Sequence, residues 1–251
     1  MNSRLKIVAP ACLLLAIVAL LEIFCDLSLI PPYIMPAPSS VFARFATNGT
    51  DVFYASLYTF VESILGLFIG SVVGFLVAII MDKFLLARYS LLPILSISQT
   101  IPVIAIAPIL VLIFGFGMQA KVFLVALMTF FPVAICLSGA FSNVPEETVL
   151  MSSSCGAGYF RTLFFVKLPH ALPYFFSGLR LSVTYAFSGA VISEWLGGDA
   201  GLGVFMTRAR KSFDYCALYE VILVVCVVTL ICVYLVKVLE RRVCKWNYLN
   251  D

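Results

Sequence analysis

The strongest constraint on the fold of this chain is a series of six long apolar runs. They lie at about residues 5–24, 57–81, 91–114, 122–141, 175–196 and 218–239. A run of ~20 apolar residues makes a helix long enough to cross the hydrocarbon core of a bilayer. Only 12% of the 251 residues are charged, whereas a soluble domain has about 25%. We therefore predict an all-α integral membrane protein with six transmembrane helices, folded as a single transmembrane domain over residues 1–251.

Lysine and arginine residues predict the orientation of these helices, because the cytoplasmic loops of membrane proteins carry the excess of both. With both termini in the cytoplasm, eleven of them fall on the inner side and five on the outer side. The first apolar run is longer than the ~7–15 residues of a signal-peptide core, so we read it as a retained helix. The basic cluster from Arg208 to Lys211 is the exception on the outer side. Lipid headgroups, a docked partner or a re-entrant segment would each accommodate it.

The third apolar run cannot form one straight helix. It contains Pro93, Pro102 and Pro108, and a proline inside a helix removes a backbone hydrogen bond and clashes with the preceding turn. A broken helix in lipid persists only where protein or a water-filled cavity satisfies the freed backbone groups. The polar residues Gln99 and Thr100 adjoin the central proline. This pattern indicates a helix that lines a solute pathway, although an ordinary proline kink would give the same sequence.

Two carboxylates lie within apolar runs. Glu62 is early in the second run and Glu194 is near the end of the fifth, so both fall in the outer half of the membrane in the predicted orientation. A charged side chain at the bilayer centre costs at least ~2.5–3.5 kcal/mol, and such groups normally face the bundle interior or water. We predict that both line a vestibule for a polar substrate; an interfacial position or an internal hydrogen bond is the alternative for each. The candidate substrate-pathway residues are Glu62, Gln99, Thr100, Pro102, Tyr185, Glu194 and Trp195.

The segment at about 142–174, between the fourth and fifth runs, is longer than the usual link between two spans. It begins with small and polar residues and continues with aromatic and basic residues that would form a short amphipathic helix. Glu146 and Glu147 stand near its start, where acidic side chains complement the dipole of a helix. A cytoplasmic segment of this composition is suited to lie along a surface and dock against another protein.

The sequence lacks the motifs of an enzyme. It contains no Gly-x-x-x-x-Gly-Lys-Ser/Thr loop, which nucleotide hydrolases use to hold phosphates. His170 is the single histidine, and no Cys-x-x-Cys pair occurs among the eight cysteines, so neither a hydrolytic site nor the ligand spacing of a metal site is indicated. We predict no catalytic residue, metal, cofactor or nucleic-acid partner. Any ATP hydrolysis must come from another polypeptide.

Three stretches carry a resemblance to one family. Gly156, followed after nine residues by Val166-Lys167-Leu168-Pro169, resembles the cytoplasmic signature of the permeases of binding-protein-dependent ABC importers. The stretch at 99–117 resembles the third core helix of that family, and the similarity extends over about 31–246. The chain looks like the permease subfamily of nitrate, sulfonate, taurine and thiamine-precursor importers. Within that subfamily, the stretch at 189–195 resembles the permeases that import thiamine-pyrimidine precursors. One departure is clear, because Leu150-Met151-Ser152 stand where the family usually has Glu-Ala-Ala.

The resemblance implies a type I importer permease core in the bacterial inner (cytoplasmic) membrane. In this family the segment at 142–174 forms a coupling helix that sits in a cleft of the ATPase subunit. The residues implied in that contact are Gly156, Ala157, Phe160, Leu168 and Pro169. The implied partners are two ATPase subunits, an extracytoplasmic binding protein, a second permease copy in a homodimer, and membrane lipid. The chain would be the transmembrane channel subunit of an ATP-driven importer.

The expected solute is small and polar. The resemblance at 189–195 favours a thiamine pyrimidine precursor, while riboflavin, sulfonate or taurine, and nitrate stay open because specificity resides largely in the binding protein. The alternative class is a stand-alone secondary transporter. Such proteins often show inverted repeats, whereas this sequence shows no convincing repeat, and that class would leave the docking segment unexplained.

Overall fold

The computed structural model describes residues 3–248, and each secondary-structure element in this range is helical. The α-helices are, in chain order, α1 (Ser3–Asp26), α2 (Pro38–Lys83), α3 (Leu85–Ser98), α4 (Val103–Phe114), α5 (Met118–Ser142), α6 (Glu146–Ser154), α7 (Tyr159–Thr162), α8 (Leu168–Gly197), α9 (Leu202–Lys211) and α10 (Tyr215–Val243). A π-helical turn at Leu163–Lys167 joins α7 to α8, and a 3-10 turn at Lys245–Tyr248 follows α10. The predicted all-α class is confirmed.

Within the described range, five helical stretches are each long and apolar enough to cross a membrane. They are Val8–Asp26, Gly49–Lys83, Met118–Ser142, Tyr159–Gly197 and Tyr215–Val243. Helices α3 and α4 together pass the same test, but they meet at 99° across a short break. Counting this bent pair as one broken span gives six crossings, the number that the sequence predicts.

The centre of the bundle is formed by α2, α5 and α8, and α5 packs along both of the others. Gly66, Gly70 and Gly74 recur every four residues on the face of α2 that meets α5. A Cβ atom added at Gly74 would lie 2.8 Å from the carbonyl oxygen of Phe130, and one added at Gly70 would overlap Thr129. Small residues at this spacing let helix backbones approach closely in lipid. These glycines therefore set the short distance between α2 and α5.

The break between α3 and α4 falls at residues 99–102. Pro102 has φ −62° and ψ 121° and precedes the first residue of α4. Helix α3 ends before it because a proline has no N–H with which to continue the preceding helix and disfavours a helical conformation in the residue before it. Pro93 and Pro108 remain inside helices. The sequence predicts one kinked helix at 91–114, whereas the observed pair begins earlier, at Leu85, and only the central proline of the three interrupts it.

The two ends of the bundle differ. At one end, called the α9 end, α9 packs against α2, α8 and α10. Helix α9 finishes with Arg208, Arg210 and Lys211, whose charges complement the negative end of the helix dipole, so this basic cluster has a structural place. At the opposite end, called the α6 end, α6 and α7 connect α5 to α8.

Helix α1 lies at the edge of the bundle. Near its last turn the Glu22 carboxylate accepts hydrogen bonds from the backbone N–H of Ser39, at 3.0 Å, and from the Ser39 hydroxyl. The apolar side chains along α1, among them Leu13, Leu15 and Ile17, stay exposed. In a membrane this surface would meet lipid or another chain.

Candidate functional site

A buried polar cluster joins α2, α5 and α8 near the α9 end. We define this polar cluster as Thr59 and Glu62 of α2, Lys121 of α5 and Glu194 of α8. Each of the three charged side chains is less than one-tenth exposed. The Lys121 ammonium nitrogen lies 2.8 Å from Oε1 of Glu62 and 3.5 Å from the carbonyl oxygen of Ala200. The ion pair thus ties α2 to α5, and it reaches the loop that leads into α9.

The carboxylate of Glu194 holds that loop in place. The Thr59 hydroxyl donates to Oε1 of Glu194 at 2.7 Å, and the backbone N–H of Gly203 donates to Oε2 at 2.5 Å. The backbone N–H of Leu202 in turn donates to the Thr59 hydroxyl oxygen at 2.9 Å. Gly201 has φ +118°, and a Cβ atom there would overlap the Glu194 carboxylate. The loop needs glycine because it folds directly around this buried side chain.

The polar cluster contains two carboxylates and one ammonium group. Removing the cation from a buried pair leaves an uncompensated charge, which is strongly unfavourable. Oε2 of Glu62 has no hydrogen-bond partner among the described residues, so this carboxylate depends on Lys121. In this structure Glu62 and Glu194 lie inside the packed bundle rather than on an open vestibule wall, and a role in the solute pathway stays a prediction.

Sequence reasoning found the two glutamates of the polar cluster but missed their partners. Lys121 stands at the edge of its apolar run, where the sequence does not distinguish it from a charge of the outer loops. The structure buries it within α5. Thr59 is three residues before Glu62 yet binds the other glutamate, 135 residues away in sequence. Both pairs join residues of different helices, so the spacing of residues along one helix does not predict them.

A cavity at the break between α3 and α4 carries polar groups on its walls. It is smaller than the apolar cavity of about 410 Å³ at the groove between α2 and α8. The cavity between α3 and α4, called the break cavity, has a volume of about 240 Å³. Its walls include Ser98 and Gln99 at the break, Met128 and Phe131 of α5, and Tyr185 of α8. The structure thus brings together Gln99 and Tyr185, two of the predicted pathway residues, from distant parts of the sequence.

The other predicted pathway residues do not line the break cavity. Thr100 and Pro102 are in the break itself and are exposed. Trp195 is exposed on α8, ten residues beyond Tyr185, which corresponds to ~15 Å along a helix. The polar cluster at Glu194 is about as far from Tyr185. The predicted pathway residues therefore divide between the break and the α9 end.

At the α6 end, the segment predicted to dock presents an exposed helix. In α6 no residue is buried, and Leu150 and Met151 expose most of their apolar side chains. Gly156 has φ +77°, and its N–H donates to the carbonyl oxygen of Ser153 at 2.9 Å as the helix ends. No described atom outside its neighbours lies within 4 Å of a Cβ added at Gly156. The glycine therefore serves a left-handed turn, and close backbone approach within this chain is not the reason for it.

After two non-helical residues, a continuous helical stretch runs over Tyr159–Gly197. Ala157 is partly buried and Phe160 is exposed. Leu168 and Pro169 begin α8 directly after the π-helical turn. The N–H of Leu168 donates to the carbonyl oxygen of Leu163, five residues back. Pro169 has no N–H to donate, and the wider turn before it lets the helix continue.

Side chains fasten this stretch to the end of α2. The Lys167 ammonium nitrogen lies 2.7 Å from Oδ1 of Asp82, and the Tyr159 hydroxyl donates to Oδ2 of Asp82 at 3.0 Å. The Lys83 ammonium nitrogen sits 5.3 Å from the centre of the Phe160 ring, a cation–π distance. The exposed α6 is thus followed by a segment that α2 holds firmly.

A bundle of membrane-spanning helices in which one span is broken near its middle is typical of membrane transport proteins. The chain belongs to the family described as the binding-protein-dependent transport system inner membrane component, whose profile matches residues 46–245. Members of this family are subunits of ABC importers, which work with ATPases and binding proteins.

Relatives by sequence include several permeases. The chain is 33% identical over 231 residues to a probable ABC transporter permease protein of Haemophilus influenzae, covering 92% of this chain and 94% of that protein. It is 31% identical over 217 residues to the formylaminopyrimidine transport permease protein ThiX of Halalkalibacterium halodurans, covering 86% and 87%. It is 37% identical over 158 residues to the riboflavin transport system permease protein RibX of Chloroflexus aurantiacus, covering 63% and 59%. Sulfonate and taurine permeases are also similar.

The fold is shared with a solved importer. A chain of the inward-facing MetNI methionine ABC transporter superposes with a TM-score of 0.62 at 20% identity, covering 75% of this chain and 92% of that one. The predicted type I importer permease core is confirmed.

Proposed function

We propose that this chain is the transmembrane channel subunit of an ATP-driven importer, acting as a single transmembrane domain. It moves a small polar solute, delivered by an extracytoplasmic binding protein, into the cytoplasm of a bacterium. The observation that carries the proposal is the exposed α6, followed by a segment fastened to α2 through Asp82. A helix with no buried side chain that stands on a rigid support is suited to receive a partner.

The proposed partners follow from the two ends of the bundle. The α6 end faces the cytoplasm, with both termini on that side of the inner membrane, and two ATPase subunits bind the α6 segments of two permease copies in a homodimer. The α9 end faces the binding protein. Where the family usually has Glu-Ala-Ala, the exposed Leu150 and Met151 make an apolar contact in the ATPase cleft, so burial of apolar surface replaces the glutamate contact.

The proposed solute is an aminopyrimidine of the thiamine-precursor type. The break cavity, at about 240 Å³, is smaller than the ~300–1,000 Å³ pockets that hold drug-sized ligands, and this size favours a single-ring solute over riboflavin. Its described walls carry no charged side chain, so an anion such as a sulfonate or nitrate would lose its hydration without gaining a cation. The formylaminopyrimidine permease relative supports the same choice.

Reconstitution into liposomes tests the importer function. We expect the purified chain alone to show no ATPase activity and no concentrative uptake, because ATP hydrolysis belongs to a separate subunit. With its ATPase and loaded binding protein, the chain should import solute at the expense of ATP. Uptake by the isolated chain, driven only by an ion gradient, would instead establish the alternative class of a stand-alone secondary transporter.

A further inference from the structure

We infer that Gln99 and Tyr185 recognise the solute in the break cavity. The Gln99 amide pairs with the amino group and the adjacent ring nitrogen of an aminopyrimidine, and the ring of the solute lies against Tyr185. This inference rests on the proposed function and adds to it the residues that select the solute.

Gln99 and Tyr185 lie near the middle of their candidate membrane spans, and both side chains are exposed in this structure. Gln99 is the residue after the end of α3, in the middle of the broken span, and Tyr185 lies near the midpoint of α8. Polar groups at this depth face the bundle interior or a water-filled path, since lipid offers them no partner. Neither the Gln99 amide nor the Tyr185 hydroxyl makes a hydrogen bond to another residue in the range 3–248. Both groups are therefore available to a solute.

The chemistry of the amide fits an aminopyrimidine. A glutamine side chain offers a carbonyl acceptor and an NH₂ donor side by side. Asparagine and glutamine read adenine in DNA through a pair of such bonds, one to its amino group and one to a neighbouring ring nitrogen. An aminopyrimidine presents the same donor and acceptor on adjacent atoms. Gln99 can thus make two parallel hydrogen bonds to this class of solute.

The remaining walls favour a flat aromatic ring without charge. Tyr185 and Phe131 supply ring surfaces, and Met128 supplies a sulfur; aromatic rings associate with one another and with thioethers. The Ser98 hydroxyl already donates to the carbonyl oxygen of Ile94 at 2.7 Å, so it can only accept from the solute. The single arginine of α8, Arg180, is paired with Glu240. No free cation of α8 is left to hold an anion.

Uptake by the complete complex in proteoliposomes tests the inference. The variants are Gln99→Leu and Tyr185→Phe, and the probes are radiolabelled formylaminopyrimidine and the analogue lacking the amino group. Matched controls are Gln119→Leu, an exposed amide on α5, and Tyr174→Phe, on the same helix as Tyr185. Stimulation of ATP hydrolysis by the loaded binding protein is measured in parallel.

For Gln99→Leu we expect uptake of formylaminopyrimidine to fall about tenfold or more, which is the loss expected for a bidentate contact. In the Gln119→Leu and Tyr174→Phe controls, which lie outside the break cavity, uptake and ATP hydrolysis should stay within about twofold of the unsubstituted complex. The ratio of formylaminopyrimidine uptake to uptake of the analogue lacking the amino group should be smaller for Gln99→Leu than for the unsubstituted complex. Both complexes use the same binding protein, so the preference of that protein does not contribute to the difference. Tyr185→Phe should lower uptake less, because the ring remains.

Two outcomes overturn the inference while the importer function stands. One is an unchanged uptake and probe preference in both variants, or an equal loss in the matched controls. The other is a complex that its binding protein stimulates but that imports ethanesulfonate in place of formylaminopyrimidine. A complex without any ATP-driven uptake would contradict the proposed function itself, and the inference would fall with it.

Discussion

Glu194 acts as an acceptor inside the protein. Its two oxygens receive the Gly203 N–H and the Thr59 hydroxyl. Glu194→Gln keeps an acceptor for Gly203, and Thr59 can turn its hydroxyl to the carbonyl oxygen of Ala55, 3.3 Å away. Glu194→Met has a similar length but leaves the Gly203 N–H without an acceptor, and a buried orphan donor costs ~1–3 kcal/mol.

We therefore expect Glu194→Met to lower the thermal unfolding midpoint of the purified protein, and Glu194→Gln to leave it close to that of the natural protein. Differential scanning fluorimetry in detergent measures both. Glu146→Gln, on the exposed α6, is the control for loss of a carboxylate. A Glu194→Met protein as stable as Glu194→Gln would show that the loop does not depend on this acceptor.

The ion pair between Lys121 and Glu62 makes a second prediction. Lys121→Met leaves the buried Glu62 carboxylate without its cation, a change that costs about 3–5 kcal/mol at buried pairs. Adding Glu62→Gln removes the stranded charge and should restore much of the lost stability. A double-mutant cycle measured by chemical unfolding gives the coupling between the two residues. The prediction is wrong if the double variant is no more stable than Lys121→Met alone.

For single residues, the sequence identifies which polar side chains lie within apolar runs, but it does not identify the contacts that they make. Glu62, Gln99 and Glu194 stand out because polar groups in lipid require a partner. The partner itself depends on how helices pack. Lys121 pairs with a residue 59 positions away, and Tyr185 and Gln99 line one cavity only because of how the helices pack.

Among the secondary-structure elements, the turn after α6 carries a prediction about coupling. Gly156→Val places a β-branched residue at φ +77°, a conformation that such residues almost never adopt and that costs of order 1–3 kcal/mol. The turn should distort and move α6 relative to α7. We expect normal membrane insertion, weaker copurification with the ATPase and loss of transport.

The matched control for that variant is two residues away. Gly158 has φ −70° and ψ 170°, which any residue adopts, and a Cβ atom there meets nothing within 4 Å. Gly158→Val should therefore bind the ATPase nearly as the natural protein does. If Gly156→Val copurifies and transports normally as well, α6 is not the docking element.

Prolines show how far elements can be predicted from sequence. The break at Pro102 follows from the chemistry of proline. Pro132 and Pro173, however, stay inside α5 and α8, and the π-helical turn precedes Pro169. A proline always removes one hydrogen bond, but whether the helix then breaks, widens or continues depends on the neighbouring helices. The helical class and the number of membrane crossings were therefore predictable, and the helix boundaries near 168 were not.

For the molecule as a whole, the long apolar runs and the small share of charged residues were sufficient to predict a membrane bundle. The glycines at every fourth position of α2 identify a close helix contact, and the structure shows α5 in that place. Which helices enclose the break cavity was not predictable, because α5 and α8 come together only through long-range packing.

Helix α2 extends through Pro38–Lys83 without an internal proline. Near one end of α2, Asp82 pairs with Lys167 of the stretch that follows α6. In the middle of α2, the Thr59 hydroxyl oxygen accepts a hydrogen bond from the backbone N–H of Leu202, at the start of α9. Asp82 and Thr59 are 23 positions apart in sequence, which corresponds to ~35 Å along a helix. Because α2 is one uninterrupted helix, a tilt applied at Asp82 also displaces Thr59. Mechanical work applied by ATPases on one side of the membrane would arrive at the opposite side without any relay of local rearrangements.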